Sequence, residues 1–370
     1  MKYCNVVLRS DEKAIYDLRG LYLQHGYKHY KVGKFEEYDL YAGNKSFLKS
    51  DSILTFTDTD GKLMALKPDV TLSIIKNVSD DSSAHKFFYN ENVYRTSASF
   101  GGFREIMQTG LECIGKIDTY SICEVLMLAD ESLRIIANRS ILAISHMGFV
   151  TGLLEECKLS HAQQNEALEY ISSKNTHALK TMAEKLRMYK ELSEALVFAA
   201  RFYGSLSDAL GIMKNYCFNE KMTAAYNELV GICEAMKDRE LYADFSIVSD
   251  MDYYNGIVFK GYIDGIPESI LSGGQYDSLV HKMGKELGAV GFAVYLDLLE
   301  RFYGGSDGYD ADVLLIYGEE NSPAEVFEAV SKLTKDTSSV KALARDDGKI
   351  KYKKLARLVG GEVEIIEAND

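Results

Sequence analysis

Several features that define specialised classes of protein are missing from this sequence. No apolar run reaches the roughly 18 to 20 residues that a membrane-spanning helix needs, and the stretch Met1 to Asn5 lacks the apolar segment of a signal peptide. The six cysteines include no C-x-x-C pair, which favours reduced thiols over a disulfide framework or a zinc site. We therefore expect a cytoplasmic protein that uses no metal, no cofactor and no membrane.

Positively charged residues are also fewer than negatively charged ones. The chain carries 42 Lys and Arg residues against 55 Asp and Glu residues, which gives a formal net charge of −13. An acidic chain lacks the broad basic surface of a nucleic-acid binder, although a local basic face can still exist. The most basic stretch, Lys349 to Arg357, is interpreted as a solvated helix face in preference to a phosphate-binding patch. Transfer RNA is accordingly not an expected partner.

The remaining composition is that of an ordinary globular protein, with 46% hydrophobic and 26% charged residues. A length of 370 residues suggests two or three domains, and the stretch Gly304 to Gly308 is interpreted as a linker. Apolar spacing predicts a helix over 10–26, strands over 86–95 and 104–115, a helix over 119–146, several helices between about 160 and 240, and the order β-α-β-α-β in the last 60 residues.

Two neighbouring segments carry polar side chains that allow more than one interpretation. Asp69 and Thr71 follow Pro68 at a predicted helix start, where a carboxylate and a hydroxyl can simply cap the helix. On the strand over 104–115, alternation brings Arg104, Gln108 and Glu112 to one face. Such a face is either exposed to solvent or lines a polar pocket. The residues alone leave both alternatives open.

A pair of tyrosines and a glycine-rich segment are two further candidates for a ligand site. Tyr253 and Tyr254 precede the turn residues Asn255-Gly256, and they are either core aromatics or a flat platform for an imidazole. The stretch Gly110 to Lys116 has the G-x-x-x-x-G-K spacing of a phosphate-binding loop. Its next residue is Ile117 instead of a hydroxyl-bearing residue, so we do not interpret it as a phosphate site.

The order of these segments resembles the class II aminoacyl-tRNA synthetases, and specifically the histidyl-tRNA synthetases. The similarity covers roughly residues 10 to 150 and 240 to 303. The matching segments are Leu66 to Thr71 with "LRPE-x-T", Tyr89 to Gly115 with motif 2, Asp252 to Phe259 with "LDYYNGTVFE", Gly273 to Asp277 with "GGRYD", and Gly291 to Leu299 with "GFAMGLERL" of motif 3.

This resemblance implies an α+β fold, with a class II synthetase-like antiparallel sheet that is flanked by helices. The implied core spans residues 1–303 and includes a helical insertion at about 160–240. A small α/β C-terminal domain would follow over 310–370.

The resemblance also implies a site for free histidine. Asp69, Thr71 and Gln108 would face the α-ammonium group, and Arg95 would pair with the carboxylate. Glu112 and Tyr254 would face the imidazole, with Tyr253 close by. The chemistry agrees with this assignment, because an ammonium needs oxygen acceptors and a guanidinium suits a carboxylate.

The departures from the family pattern argue against catalysis. Ser249 stands where the family has an arginine that contacts the acyl group, and Leu298 stands where motif 3 has an arginine over the ATP phosphates. Gln275 and Gly102 occupy two further arginine positions. Because preorganised positive charge stabilises the charge that develops on phosphate, these losses argue against adenylate formation. No catalytic residues are therefore expected.

A histidine-binding synthetase core without these arginines resembles one non-catalytic branch, the regulatory subunits of short-form ATP phosphoribosyltransferase. That resemblance implies a short catalytic subunit as partner, L-histidine as effector, and a homodimer within a hetero-oligomer. Two alternatives are a divergent but active histidyl-tRNA synthetase and a stand-alone histidine-binding paralogue.

Overall fold

The structure is a computed structural model that describes residues 10–44, 48, 53–81, 83–97, 102–248, 253–303, 309–337, 339–346 and 348–369. One compact unit spans Ala14–Leu298, and a second contains the C-terminal sheet. Ser249 and the proposed linker Gly304 to Gly308 lie outside the described residues. Within the described ranges, no helix has the length and apolarity to cross a membrane, and no three His, Cys, Asp or Glu side chains cluster as metal ligands.

Helices and strands alternate irregularly along the chain. The helices are α1 Ser10–Gln24, α2 Tyr38–Ala42, α3 Thr71–Asn77, α4 Thr119–Ile136, α5 Met147–Glu156, α6 His161–Ser172, α7 Thr176–Lys185, α8 Lys190–Arg201, α9 Leu206–Met213, α10 Glu220–Ala235, α11 Asp277–Lys282, α12 Leu296–Tyr303 and α13 Pro323–Asp336. The strands are β1 Lys28–His29, β2 Phe35–Glu37, β3 Thr55–Thr57, β4 Leu63–Leu66, β5 His85–Ser97, β6 Gly102–Gly115, β7 Ser140–His146, β8 Gly204–Ser205, β9 Tyr242–Ala243, β10 Ile257–Ile263, β11 Leu271–Gln275, β12 Gly288–Tyr295, β13 Ala311–Ile316, β14 Val340–Leu343, β15 Tyr352–Val359 and β16 Glu362–Ala368.

A large mixed sheet forms the centre of the first unit and confirms the α+β prediction. Its strand order is β1-β5-β6-β12-β11-β10-β7-β9-β8. All pairings from β5 across to β7 are antiparallel, whereas β1 pairs with β5 and β9 pairs with β7 in parallel. This antiparallel centre presents two faces with different chemistry, because successive side chains on a strand point to opposite sides.

One face of the sheet is apolar and packs against helices. Leu111 on β6 lies opposite both Phe88 on β5 and Phe292 on β12. Tyr22 of α1 packs on this row, with ring centroids 5.9 Å from Phe88 and 6.1 Å from Phe292. The intervening residues of β6, including Gln108 and Glu112, therefore belong to the opposite face.

That opposite face is covered near β5 by a smaller sheet and a short helix. The small sheet has the order β2-β4-β3, and α3 follows β4 directly. Buried residues from these elements, among them Ala65, Val70 and Ile75, form one apolar cluster with Tyr89 and Val93 of β5. The cluster fixes the start of α3 above the large sheet, where the candidate site lies.

The helices predicted between about 160 and 240 are present as α6 to α10. They do not stand apart from the sheet, because α10 packs against α4 and α5. In addition, the short strand β8, between α8 and α9, and the short strand β9, directly after this region, extend the large sheet.

Two predicted elements are wrong. The helix predicted over 119–146 ends at Ile136, and Ser140–His146 forms β7 beside β10. The second helix predicted in the C-terminal unit is the strand β15, so Lys349 to Arg357 is not a helix face. In β15, Ala356 and Leu358 are buried while Arg357 is exposed, which is the alternation of a strand.

The C-terminal unit is a four-stranded sheet with one helix. Its strand order is β14-β13-β15-β16, with β13 parallel to both neighbours and β15 antiparallel to β16. The helix α13 begins with a capping box between Ser322 and Glu325. It packs Val326, Ala329 and Val330 against the sheet, as expected for a small α/β unit.

Candidate ligand-binding site

A single cavity on the polar face of the large sheet collects every residue predicted for the ligand site. Its empty volume is about 400 Å³, part of which is open to solvent. The predicted residues that line it are Asp69, Thr71, Arg95, Gln108, Glu112, Tyr253 and Tyr254. The solvent-exposed interpretation of the β6 face is therefore wrong for Gln108 and Glu112, which are both about 3% exposed.

The centre of the cavity floor is built from small residues on three adjacent strands. Glu112 lies opposite Gly291 on β12, and Gln108 lies opposite Tyr295. A Cβ atom at Gly291 would lie 1.8 Å from Glu112 Oε2, so the carboxyl group occupies the space above this glycine. Likewise, a Cβ atom at Gly274 on β11 would lie 2.7 Å from the ring of Tyr254. Glycine is therefore required where the polar side chains lie flat on the sheet.

Glu112 is the chemically most unusual group in the cavity. Oε1 accepts a hydrogen bond of 2.7 Å from the Thr71 hydroxyl, and Oε2 accepts a short hydrogen bond from the Tyr276 hydroxyl. Burial raises the pKa of the Glu112 carboxyl from 4.5 to about 8, although both hydroxyl donors lower it and Asp69 raises it further. A pKa of about 8 favours the protonated form of the Glu112 carboxyl at neutral pH.

Asp69, Thr71 and Arg95 meet at the start of α3. Asp69 Oδ1 accepts from the backbone N–H of Leu72 at 2.9 Å, so helix capping, the simpler interpretation, accounts for one of its oxygens. Its Oδ2 lies 3.9 Å from the guanidinium of Arg95, whose Nε donates to Pro68 O at 2.8 Å. Thr71 does not cap the helix but points to Glu112. These residues thus present one carboxylate and one guanidinium to the cavity.

Tyrosine rings form the aromatic side of the cavity. The ring centroids of Tyr253 and Tyr254 are 4.4 Å apart in an edge-on arrangement, and Tyr276 lies 6.2 Å from Tyr253. Burial raises the pKa of each of these hydroxyls well above its usual range, so all three stay protonated. The side therefore combines apolar ring faces with neutral hydroxyl groups.

Gln108 carries a buried amide that is incompletely paired. Among the described residues, its Nε2 has no hydrogen-bond partner. A buried donor without a partner costs free energy, so a ligand or a water molecule that accepts from it would be stabilising. The amide group can also turn and offer its oxygen to a donor on the ligand.

The positions that differ from the synthetase pattern have local roles. Leu298 is 6% exposed and belongs to the core of the first unit, so this position offers no charge to a ligand. Gln275 donates its amide to Asp277 at 2.6 Å, and Asn255 donates to the same carboxylate at 2.9 Å. Gly102 lies exposed at the start of β6, and Ser249 is outside the described residues.

Four further polar residues line the cavity without having been predicted for the site. Tyr276 belongs to the segment Gly273 to Asp277 that matches the family pattern, and Ser272 directly precedes that segment. Tyr89 and Tyr295 could have been found by strand alternation, because they lie opposite Gly110 and Gln108. The missing information was the pairing of β12 with β6, which joins segments far apart in the sequence.

The geometry suits a small zwitterion with a polar aromatic side chain. Arg95 can pair with a carboxylate, and Asp69 can accept from an ammonium. Glu112 can bond an imidazole in either protonation state, since it donates when neutral and accepts when ionised. The tyrosine rings cover the apolar surface of such a ligand.

Comparison with known proteins gives a consistent family. The family model for histidyl-tRNA synthetase matches residues 8–299. An ATP phosphoribosyltransferase regulatory subunit from Oceanobacillus iheyensis is 28% identical over 294 residues, which cover 77% of this chain and 72% of that protein. The structure of an ATP phosphoribosyltransferase regulatory subunit/histidyl-tRNA synthetase from Bacillus halodurans C superposes with a TM-score of 0.72 at 22% identity, over 92% of this chain and 90% of that one. A chain from the ATP phosphoribosyl transferase complex of Thermotoga maritima has a TM-score of 0.59 at 19% identity, over 77% of this chain and 97% of that one.

Proposed function

This chain belongs to the histidyl-tRNA synthetase family, and we propose that within the family it is the regulatory subunit of a short-form ATP phosphoribosyltransferase in the cytoplasm. The observation that carries the proposal is the name that its curated relatives share. They are ATP phosphoribosyltransferase regulatory subunits, and their alignments cover most of this chain. A complex of that transferase also contains a chain of the same fold. The partner is then the short catalytic subunit, and a homodimer of this chain forms part of the assembly.

The cavity is proposed to hold L-histidine as the feedback effector. Asp69, Thr71 and Gln108 bind the ammonium group, and Arg95 binds the carboxylate. Glu112 and Tyr254 bind the imidazole, and Tyr253 packs beside it. This assignment is supported by the convergence of all seven side chains on one cavity and by the unpaired amide of Gln108.

The subunit is proposed to have no synthetase activity of its own. Leu298 is an apolar core residue where the family pattern has an arginine, and Gln275 is engaged with Asp277. Neither can stabilise the negative charge that develops when a carboxylate attacks a phosphate. The reaction of the complex therefore takes place on the partner.

Co-purification with the short catalytic subunit of the same genome tests the central part of this proposal. The two chains are expected to elute together, and the transferase rate is expected to rise when this chain is added. Separate elution together with full activity of the catalytic subunit alone would contradict the proposal. The same outcome with intact histidine binding would favour the stand-alone histidine-binding paralogue.

A divergent histidyl-tRNA synthetase is the second candidate, because Arg95 lines the cavity and Arg104 lies on the same face of β6 as Gln108. Such an enzyme would exchange pyrophosphate into ATP when histidine is present. We expect no histidine-dependent exchange from the purified chain. Exchange at rates typical of synthetases, roughly 1 s⁻¹ or more, would establish the enzyme and remove the regulatory proposal.

A further inference from the structure

Residues with small side chains form a line across the cavity floor. Starting from Glu112, the positions along β12 and β11 are Gly291 and Gly274, and then Ala293 and Ser272. Gly110 on β6 completes the second row opposite Ala293. Because none of these residues has a long side chain, the Glu112 carboxyl, the Tyr254 ring and the Tyr89 hydroxyl lie close to the sheet, and the cavity lies above them.

Tyr295 stands at the end of this line. It follows Ala293 on the same face of β12 and lies directly opposite Gln108 on β6. Its hydroxyl is 2.8 Å from the hydroxyl of Ser272 on β11, so the two side chains bridge the line of small residues. The ring lines the cavity and is half-buried.

Polar groups continue beyond Tyr295 on the same face. Arg104 precedes Gln108 by four positions on β6, which corresponds to about 13 Å along a strand. Its guanidinium lies 4.0 Å from Asp297, two residues after Tyr295, and it is partly open to solvent. In the motif 3 pattern "GFAMGLERL" that this segment resembles, glycine occupies the position of Tyr295. A glycine there would join the cavity to the region around Arg104.

We propose that Tyr295, anchored by Ser272, is the wall that limits this cavity to a ligand of the size of a free amino acid. The inference rests on the proposed binding of histidine and adds a determinant of its specificity. An aminoacyl ligand whose carboxylate carries a nucleotide would have to pass the position of the Tyr295 ring. The wall therefore lets the site respond to free histidine and excludes larger histidine derivatives.

Removal of the ring tests the wall. The probes are L-histidine and a non-hydrolysable histidyl-adenylate analogue, and calorimetry gives the ratio of their affinities for each protein. We expect Tyr295→Ala to raise the affinity for the analogue relative to histidine by roughly tenfold or more, the scale on which a pocket discriminates ligand size. Ser272→Ala, which keeps the ring but removes its anchor, should raise the same ratio by a smaller factor. If Tyr295→Ala does not fold, Ser272→Ala alone decides.

Tyr203→Ala is the matched control, because Tyr203 is an exposed tyrosine of the helical region and should leave the ratio unchanged. Wild-type protein that binds the analogue as tightly as histidine would overturn the proposal, and so would an unchanged ratio in folded variants. If the wild type binds no histidine, the proposed histidine site fails. The wall is then judged by the analogue alone, which must bind Tyr295→Ala and not the wild type.

Discussion

Glu112 is the residue that we propose contributes most to ligand recognition. It is buried at the centre of the cavity floor, and its two oxygens are held by hydroxyl groups from α3 and from the residue before α11. This arrangement fixes the carboxyl group in one orientation before any ligand binds. A polar ligand group that forms a hydrogen bond with this carboxyl group would therefore bind at little cost in side-chain entropy.

We expect Glu112→Gln to weaken the binding of L-histidine by a factor of about 5 to 150. The reason is that a buried polar group of the ligand that is left without its hydrogen-bond partner costs roughly 1 to 3 kcal/mol of binding free energy. Calorimetry measures the change. Glu105→Gln, the same substitution at an exposed position of β6, is the control and should bind histidine like the wild type. Equal affinity in Glu112→Gln and in the wild type would refute the assigned role.

The raised pKa of Glu112 makes a prediction about stability. Because the pKa is about 8 in the folded chain and 4.5 as its ordinary value, the native state binds more protons between these limits. The free energy of unfolding should therefore fall as the pH rises from about 4.5 through 8, by an amount on the order of a few kcal/mol. Denaturant unfolding of the wild type and of Glu112→Gln at pH 5 and pH 9 measures this change. The free energy of unfolding should fall less between the two pH values in the variant than in the wild type. Parallel pH profiles would contradict the raised pKa of the buried Glu112 carboxyl.

At the residue scale, the sequence predicted which side chains meet but not how they contact one another. All seven predicted site residues line the cavity, because the motif pattern already encodes their positions on neighbouring elements. Their role toward histidine stays a prediction. Tyr276 was not singled out for the site, since only the folded chain brings its hydroxyl to Glu112.

A buried ion pair holds one element of the site in place. Lys67 precedes the Asp69–Thr71 segment and is 1% exposed, and its ammonium pairs with Glu91 on β5. The backbone C=O of Lys67 also accepts from the N–H of Tyr94. The start of α3 is thus bound to the sheet through charge as well as through backbone contacts.

Loss of this ion pair should destabilise the whole unit. We expect Lys67→Met to lower the free energy of unfolding by about 3 to 5 kcal/mol, because Glu91 would remain partly buried without its cation. Lys62→Met is the control, since the Lys62–Glu37 pair is largely exposed and should matter little. Denaturant unfolding measures both variants, and similar effects of the two substitutions would contradict the structural role of Lys67.

At the element scale, the sequence analysis failed at two strands, β7 and β15, for different reasons. In β7, the run Ile141 to Ile144 is apolar at every position, so alternation does not distinguish a strand from a buried helix. Pairing with β10 decides the outcome, and β10 is more than 100 residues away. In β15, the lysines and arginine suggested a helix face, whereas burial of Ala356 and Leu358 on the sheet determined the structure.

At the scale of the whole molecule, the fold and the resemblance to the regulatory subunits are confirmed, while the division into domains stays a prediction. Ordered motifs could identify the family because they report the three-dimensional core. They carry no information on the surface that contacts a partner, since that surface is defined by the other chain. The coupling between ligand and partner is therefore a question for the assembled complex.

Linkage would relate the proposed histidine site to the activity of the proposed complex. Histidine can inhibit the transferase only if it binds one arrangement of the complex more tightly than another. A preference of about 1 to 3 kcal/mol is usual, which is a factor of about 5 to 150 in affinity. If the effector site is the cavity around Glu112, any loss of affinity there must appear as the same shift in the inhibition curve.

The most direct test is histidine inhibition of the transferase in complexes that contain either the wild type or Glu112→Gln. The rate without histidine is the reference for each complex. We predict that the histidine concentration for half-inhibition rises with the variant by the factor by which direct binding weakens, about 5 to 150. Unchanged inhibition in a complex whose variant subunit no longer binds histidine would show that the regulatory site lies elsewhere.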